Sequence, residues 1–448
     1  MSVVTRSLPG CRDLLSLAAC KPERYPGLLE SVAIGPQLAR YDLLFAFPQA
    51  TLRLDPDRPA DANFLDQLDA HWRNERVERD DCDLPFRGGW LLFLGYELAQ
   101  QIEPRLRLPT APSDALPSAL ALRCPAAIIV DHQRDCTWLV AESDHANLLN
   151  ALAADLAKPM QLESVLPTLE RLDEDDPQRY LDSIVRVQEY LAAGDVFQVN
   201  LSREWRATYR EPPSPAALYT ALRAANPAPF AGLLQWQGNT VVSSSPERLV
   251  EVRGDHVQTR PIAGTRARVA GDDEPARIRE LAGHPKERAE HVMLIDLERN
   301  DLGRVCVPGS VVVDQLMSIE SYAHVHHIVS NVSGRLRPDT TPGQVIRAMF
   351  PGGTITGCPK VRCMEIIAEL EGAARGAYTG SLGYLNCDGD MDLNILIRTA
   401  TVSGNTVRWR AGGGIVADSN PQAELAETRA KARGLSRAFA PEAPPATS

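Results

Sequence analysis

The 448-residue chain contains no run of about 18 uninterrupted apolar residues, the length a membrane-spanning helix requires. It has no basic excess either: 47 Lys and Arg against 58 Asp and Glu leave a formal net charge of -11. Non-specific nucleic-acid binding relies on a basic surface that displaces phosphate counterions, so this balance argues against it. An anionic ligand would need a local basic pocket. The nine cysteines, at 11, 20, 82, 124, 136, 306, 358, 363 and 387, are odd in number and form neither CxxC pairs nor metal-ligand spacing. That excludes a disulfide framework and points to a reducing compartment. Leu17-Ala18-Ala19-Cys20 has the look of a lipoprotein cleavage box, but Pro9, Gly10, Arg12 and Asp13 interrupt the apolar core that must precede it. No signal peptide is expected, and the chain reads as soluble and cytoplasmic. No internal repeat is visible.

With 44% apolar and 23% charged residues, the composition is that of an ordinary globular protein of one large or two moderate domains. A Pro-rich stretch at 104–117 and a second low-order stretch at 158–177 are linker candidates. The second divides an N-terminal region, 1–165, from a larger region, 170–440, and the tail 441–448 is expected to be disordered. Strand-like runs lie at 41–47, 89–94, 126–130, 196–201, 232–236, 240–243, 309–316, 323–336, 377–385, 391–401 and 406–411. Helical spacing marks 178–193, 285–297, 341–349, 359–371 and 421–438. Helices do not follow strands regularly, so the expected class is α+β, with large antiparallel sheets and helices packed outside.

The most informative stretch is SSSPERLVEVRGDHVQTRPIAGT, 243–265. Two β-favouring runs flank the turn residues Gly254 and Asp255, which reads as a hairpin with Glu247 at one strand's start. Pro261 fixes φ and Gly264 permits close backbone approach, so the amides of Gly264 and Thr265 form a potential carboxylate cradle. Further on, AEHVMLIDLERND carries Glu290, Asp296, Glu298 and Asp301, most of them expected on the solvated surface. The final helix sets Glu424, Glu427 and Lys431 on one face, as surface pairs or as ligands. Gly352 and Gly357 have Walker A spacing, but Pro359 intervenes before Lys360 and no Ser or Thr follows, which argues against nucleotide binding. The Gly412-Gly413-Gly414 run reads as a turn, and Ala417 completes a GxGxxA pattern. Asp418-Ser419-Asn420-Pro421 interrupts the helix that a dinucleotide fingerprint must open. His324, His326 and His327 would alternate across a strand with no cysteine or carboxylate close in sequence, so zinc is not expected there.

SPER and RPIAGT, together with FPGGTITGCPKVRCMEIIAELE, resemble the chorismate-utilising enzymes, whose members include anthranilate, aminodeoxychorismate, isochorismate and salicylate synthases. The resemblance implies a single complex domain of the anthranilate synthase component I type, a sandwich of two large antiparallel sheets. It implies Glu247 as the general acid, His327 managing protons at the ring or enolpyruvyl group, and Thr265 as a further catalytic residue. Gly264, Thr265, Tyr378, Arg398, Gly412, Gly413, Gly414 and Lys431 would hold chorismate. Glu290 and Glu427 would ligate Mg²⁺, which takes one or two protein carboxylates and lets an anionic ligand complete its octahedron. Leu29, Glu30 and Ser31, with Pro229 and Phe230, resemble the family's tryptophan pocket, so tryptophan is a candidate ligand; a short apolar element capped by a serine explains the first three equally well.

Within the family, LPFRGGWLLFLGYEL, IIVDHQR, ARYDLLFAFP and Asn200 in VFQVNLS look like component I of aminodeoxychorismate synthases. The departure is Ala263, where many of those enzymes carry a lysine that adds to ring C2. Alanine at that position is the anthranilate synthase pattern, and it weighs against isochorismate and salicylate synthesis. The chain has no GxCxG segment with a later His-x-Glu, so ammonia is expected from a separate glutaminase subunit. The alternatives are anthranilate synthesis or a catalytically inert tryptophan-sensing partner.

Overall fold

The computed structural model describes residues 3–32, 40–56, 63–79, 81–111, 116–158, 160–267, 279, 285–321 and 325–440, with the side chains at 263, 265–267, 285–287, 325 and 326 excepted. The tail 441–448 lies outside the described residues. Two large sheets dominate, and every pairing among the described strands is antiparallel. The first runs, in spatial order, Val3–Pro9, Cys136–Glu142, Ala126–Asp131, Tyr41–Ala46, Gly27–Glu30, Phe230–Trp236, Asn239–Ser245, Thr399–Ser403, Thr406–Ile415, Gln198–Tyr209 and Gly357–Cys358. The second runs Ile262–Ala267, Val325–Arg335, His256–Thr259, Arg248–Arg253, Met391–Asn394, Ser381–Asn386, Gly89–Leu94, Ala119–Cys124 and Thr51–Leu54, with Val312–Ser321 beside Val325–Arg335. Strands from before and after 158–177 share both sheets.

Alternation along the strands builds the layers. In Gly89–Leu94, Leu91 and Phe93 point between the sheets, where they meet Phe45, Ile129, Leu234 and Val241. Leu92 and Leu94 point outward under the helices Phe64–Glu75, Pro285–Gly303 and Pro342–Met349. The outer face of the first sheet is covered by Leu15–Cys20, Leu148–Leu156, Pro215–Ala225 and Pro421–Phe439. The sheets approach closely at Gly27, where a Cβ would fall 2.4 Å from a Leu91 methyl. The architecture is therefore the expected α+β sandwich with helices outside. No helix among the described residues is long and apolar enough to cross a membrane.

Local chemistry explains the helix starts. Thr341 caps Pro342–Met349 in a reciprocal box with Gln344, and Asn420 caps Pro421–Phe439 through the Ala423 amide, with Pro421 in the first turn. Three segments differ from expectation. Leu169–Glu174, inside the supposed linker, is an edge strand on Gln198–Tyr209; its charged, half-exposed residues lack the apolar face that announces a strand. Gly412, Gly413 and Gly414 form no turn but extend Thr406–Ile415 against Ser202, Leu201 and Asn200. There a Cβ on Gly412 would sit 2.3 Å from the Leu201 carbonyl oxygen, so close strand approach accounts for the missing side chain. The run 391–401 breaks into two strands because the chain crosses from one sheet to the other between Asn394 and Thr399.

Candidate active site

Two such crossings lie side by side. Asn239–Ser245 belongs to the first sheet and Arg248–Arg253 to the second, and Glu247 sits in the passage between them. Arg398 occupies the return passage, not a strand, with φ at +51°. Backbone hydrogen bonds lock the passages together: Ile395 N–H donates to Glu247 O at 3.0 Å, and Ser244 N–H to Arg398 O at 3.1 Å. The Glu247 side chain is 5% exposed, and its Oε1 accepts from Thr354 Oγ1 at 2.8 Å. Burial pushes its pKa up to about 7, against the Thr354 hydroxyl, the Ile262 N–H and the charges of Arg398 and Lys431. Burial also pulls the Arg398 guanidinium below its ordinary value, with the Glu247 charge opposing. A carboxyl that titrates near neutrality beside a poorly solvated cation is suited to deliver a proton to an anionic ligand.

Gly264 lies in a register shift between Ile262–Ala267 and Val325–Arg335, with φ at +73°. This left-handed conformation costs a residue with a Cβ, which accounts for glycine there. Thr265 pairs in register with His327, which is buried; the side chains of Thr265 and Ala263 lie outside the described ones, as do His324 and the His326 side chain.

The glycine strand connects the remaining candidates. Gln198 Nε2 donates to Glu290 Oε1 at 2.9 Å, and the same nitrogen would be 1.8 Å from a Cβ on Gly414. A Cβ on Gly413 would meet Glu424, Glu427 and Lys431 at 3.4, 3.6 and 3.8 Å. Glu427 thus comes up to Gly413, while Gly414 leaves room for Gln198, the side chain that holds Glu290. Lys431 Nζ reaches Glu427 Oε1 at 2.8 Å and the Gly412 carbonyl at 3.0 Å. Among the described residues no group of three or more His, Cys, Asp or Glu could hold a metal. Two carboxylates beside a glycine gap and the unpartnered, buried Gln198 Oε1 nevertheless fit a hard, oxygen-seeking cation that takes its other ligands from water and substrate. Tyr378 is buried in the turn before Ser381–Asn386, 5.6 Å from the Arg375 guanidinium, and burial pushes its phenol up to about 12.

Several residues here carried only a faint signal in the sequence. Asp296 is exposed at 65%, as expected of an acid on this helix, but Glu298 is 3% and Asp301 1% exposed. Asp301 pairs with Lys360 at 2.5 Å. Their spacing places them on the helix stripe of His291, Ile295 and Leu302, which helical periodicity alone reveals. His291 is fully buried with Nε2 on Ser330 Oγ at 2.7 Å, and burial pushes its pKa down to about 4. Under the glycine strand, Glu371 takes Arg375 Nη2 at 2.6 Å, Arg410 Nη2 at 3.0 Å, and the Ser202 hydroxyl and amide at 2.8 Å. Only the Glu371/Arg375 spacing of four hinted at this pairing.

Away from this site, Leu29, Glu30, Ser31, Pro229 and Phe230 all line one cavity of about 250 Å³, together with Arg40, Tyr41, Arg248 and Tyr384. Ser31 Oγ donates to the Pro229 carbonyl at 2.7 Å, and buried Glu30 is paired with Arg223. The two sequence segments meet because Gly27–Glu30 and Phe230–Trp236 are neighbouring strands.

Comparison with known proteins gives a consistent picture. Residues 31–437 match the chorismate binding enzyme family. An anthranilate synthase component I-like protein of Synechocystis is 42% identical over 407 residues, 89% of this chain and 83% of the relative. Aminodeoxychorismate synthase component 1 of Bacillus subtilis is 40% identical over 369 residues, 79% of this chain and 77% of the relative. The crystal structure of anthranilate synthase component I from Streptococcus pneumoniae superposes with a TM-score of 0.80 at 29% identity, over 90% of this chain and 94% of that one.

Proposed function

This chain belongs to the family of chorismate binding enzymes, and from that premise we propose that it is component I of an aminodeoxychorismate synthase. It would replace the C4 hydroxyl of chorismate by an amino group, with Mg²⁺ bound and ammonia supplied by a separate glutaminase subunit. The observation that carries the reading is Glu247, a buried carboxyl with its pKa at about 7, set beside Arg398 where two sheet crossings meet. Such an acid keeps a useful fraction of its proton at the pH where it must give it up.

Glu247 gives that proton to the C4 oxygen as the C–O bond breaks, and the electron pair leaves with oxygen as water. The carboxylate left behind faces Arg398. Arg398 and Lys431 supply cations for the substrate carboxylates, and the amides at Gly264 and Thr265 supply a neutral cradle. Glu290 and Glu427 would hold Mg²⁺, which when bound neutralises the substrate carboxylate. His327 would move protons at the ring or the enolpyruvyl group, and Tyr378 would bound the pocket. The cavity at Leu29, Glu30, Ser31, Pro229 and Phe230 is read as a tryptophan site.

Amination at C4 is favoured by the N-terminal segments, two of which form the fully buried strands Gly89–Leu94 and Ala126–Asp131. Ala263 favours the second reading, ammonia attack at C2 to give anthranilate, because alanine offers no nucleophile. Under the first reading another nucleophile, such as water, adds at C2 as the C4 hydroxyl leaves, and is itself expelled from C2 when ammonia adds at C4. Incubation with chorismate, Mg²⁺, excess ammonium and aminodeoxychorismate lyase separates the two. 4-Aminobenzoate is expected; fluorescent anthranilate without the lyase would overturn the proposal.

A further inference from the structure

Arg375 is 4% exposed and stands outside the set of side chains that the chemistry above uses. A guanidinium carries five N–H donors in a fixed fork, and here each has an acceptor. Two go to Glu371, Nε to Oε2 at 3.0 Å and Nη2 to Oε1 at 2.6 Å. That pairing already neutralises the buried charge, and Arg410 shares the same carboxylate. The other three donors leave the pair. Nη2 donates to the Asn200 carbonyl at 2.7 Å, and Nη1 donates to the Ile355 carbonyl at 3.2 Å and to Thr379 Oγ1 at 3.3 Å.

The three acceptors belong to three segments that enter the site separately. Asn200 lies two residues along its strand from Gln198, the side chain on Glu290. Ile355 ends the turn Gly353–Ile355, whose Thr354 hydroxyl donates to Glu247 and whose Gly353 leaves room for the buried Glu298. Thr379 follows Tyr378, and the guanidinium carbon stands 5.0 Å from the Tyr96 ring and 5.6 Å from the Tyr378 ring. Thr379 has φ at +62°, a left-handed conformation that a β-branched residue adopts only where its surroundings enforce it. Its N–H donates to Leu396 O at 2.8 Å, in the passage that carries Arg398. Its hydroxyl accepts from Arg375 and donates to the Tyr378 carbonyl at 2.6 Å.

We propose that Arg375 is a positioning residue for the reaction, one side chain that sets the spacing of the acid Glu247, the metal ligand Glu290 and the ring of Tyr378 by fastening the three segments behind them. This rests on the roles given to those residues above. Lysine would keep the charge beside Glu371, but its three donors radiate from a single atom and cannot span these acceptors. A misplacement of about 1 Å at reacting groups lowers a rate by about 10²-fold.

Kinetics of Arg375→Lys, taken well below the variant's melting temperature, should therefore show kcat for chorismate consumption reduced by about 10²-fold, with the chorismate KM changed far less. Thr379 supplies a second test if that variant does not fold. Thr379→Gly removes one Arg375 contact in a backbone that suits glycine, so it should keep the fold yet lower kcat, whereas Thr379→Ser retains the hydroxyl and most of the rate. Independently of turnover, the infrared band of the protonated Glu247 carboxyl at pH 6, assigned by its loss in Glu247→Gln, should move to higher frequency in Arg375→Lys, because the Thr354 hydroxyl no longer holds its oxygen. Wild-type kcat in folded Arg375→Lys or Thr379→Gly, or an unmoved band, would overturn the proposal. A wild-type protein that consumes no chorismate would refute the functional reading and leave the infrared band to decide the role of Arg375.

Discussion

Gly414→Ala probes the glycine strand most sharply. A Cβ there would lie 1.8 Å from Gln198 Nε2, 2.8 Å from Cδ and 3.3 Å from Cγ. The first two distances are shorter than side-chain contacts tolerate, and Gly414 has no positive φ, so the backbone accepts alanine and the glutamine amide must give way. Its 2.9 Å hydrogen bond to Glu290 Oε1 is then lost. A hydrogen bond to a charged group contributes about 1.5–3 kcal/mol, which is roughly 10- to 150-fold in an equilibrium constant. If that bond aims Glu290 at Mg²⁺, the Mg²⁺ concentration for half-maximal chorismate consumption should rise by about this factor, with the rate at saturating Mg²⁺ changed far less. Adding Gln198→Ala should remove most of the effect of the alanine at 414, because the two changes act through one contact. Gly412→Ala is the contrast: its Cβ would meet the Leu201 carbonyl, which is backbone, so it should lower the melting temperature instead. An unaltered Mg²⁺ dependence in folded Gly414→Ala would refute the reasoning.

Further outcomes follow from the same geometry. Glu247→Gln should lower the rate with ammonium by about 10²- to 10⁴-fold while chorismate binding, followed by calorimetry, persists; near-wild-type turnover would remove it as the acid. Glu427→Ala should abolish Mg²⁺-dependent activity, and full retention would remove the metal assignment. Glu247 and Glu298 titrate at about 7 and 8 in the fold against an ordinary 4.5, so the folded state holds more protons and stability falls as pH rises through that window. Urea unfolding at pH 5 and pH 8 should show the fall, and Glu298→Gln should shrink it. Arg375→Met leaves Glu371 short of one buried partner and should cost about 3–5 kcal/mol in the same assay.

Much of this was readable from residue patterns. Continuous apolar runs such as 89–94 and 126–130 mark strands buried on both faces, and helical spacing marks 341–349. What escaped depends on tertiary context. Arg398 lies in LNILIRTA, whose composition is that of a strand; only the crossing between sheets bends it. The glycine triplet reads as a turn until the Leu201 carbonyl of the neighbouring strand lies 2.3 Å from where a Gly412 side chain would begin. Glu298 and Asp301 look like surface acids because nothing local announces Lys360 or the covering turn at Gly353. The five cavity residues, by contrast, were legible as two segments, and their meeting needed only the pairing of two strands.

Release of pyruvate tests the central claim most directly. Conversion of chorismate to 4-amino-4-deoxychorismate keeps the enolpyruvyl group, whereas formation of anthranilate expels it as pyruvate. With chorismate, Mg²⁺ and ammonium, and no lyase present, chorismate should disappear without pyruvate, and pyruvate should appear in step with 4-aminobenzoate once the lyase is added. Pyruvate formed at the rate of chorismate loss without the lyase would contradict amination at C4.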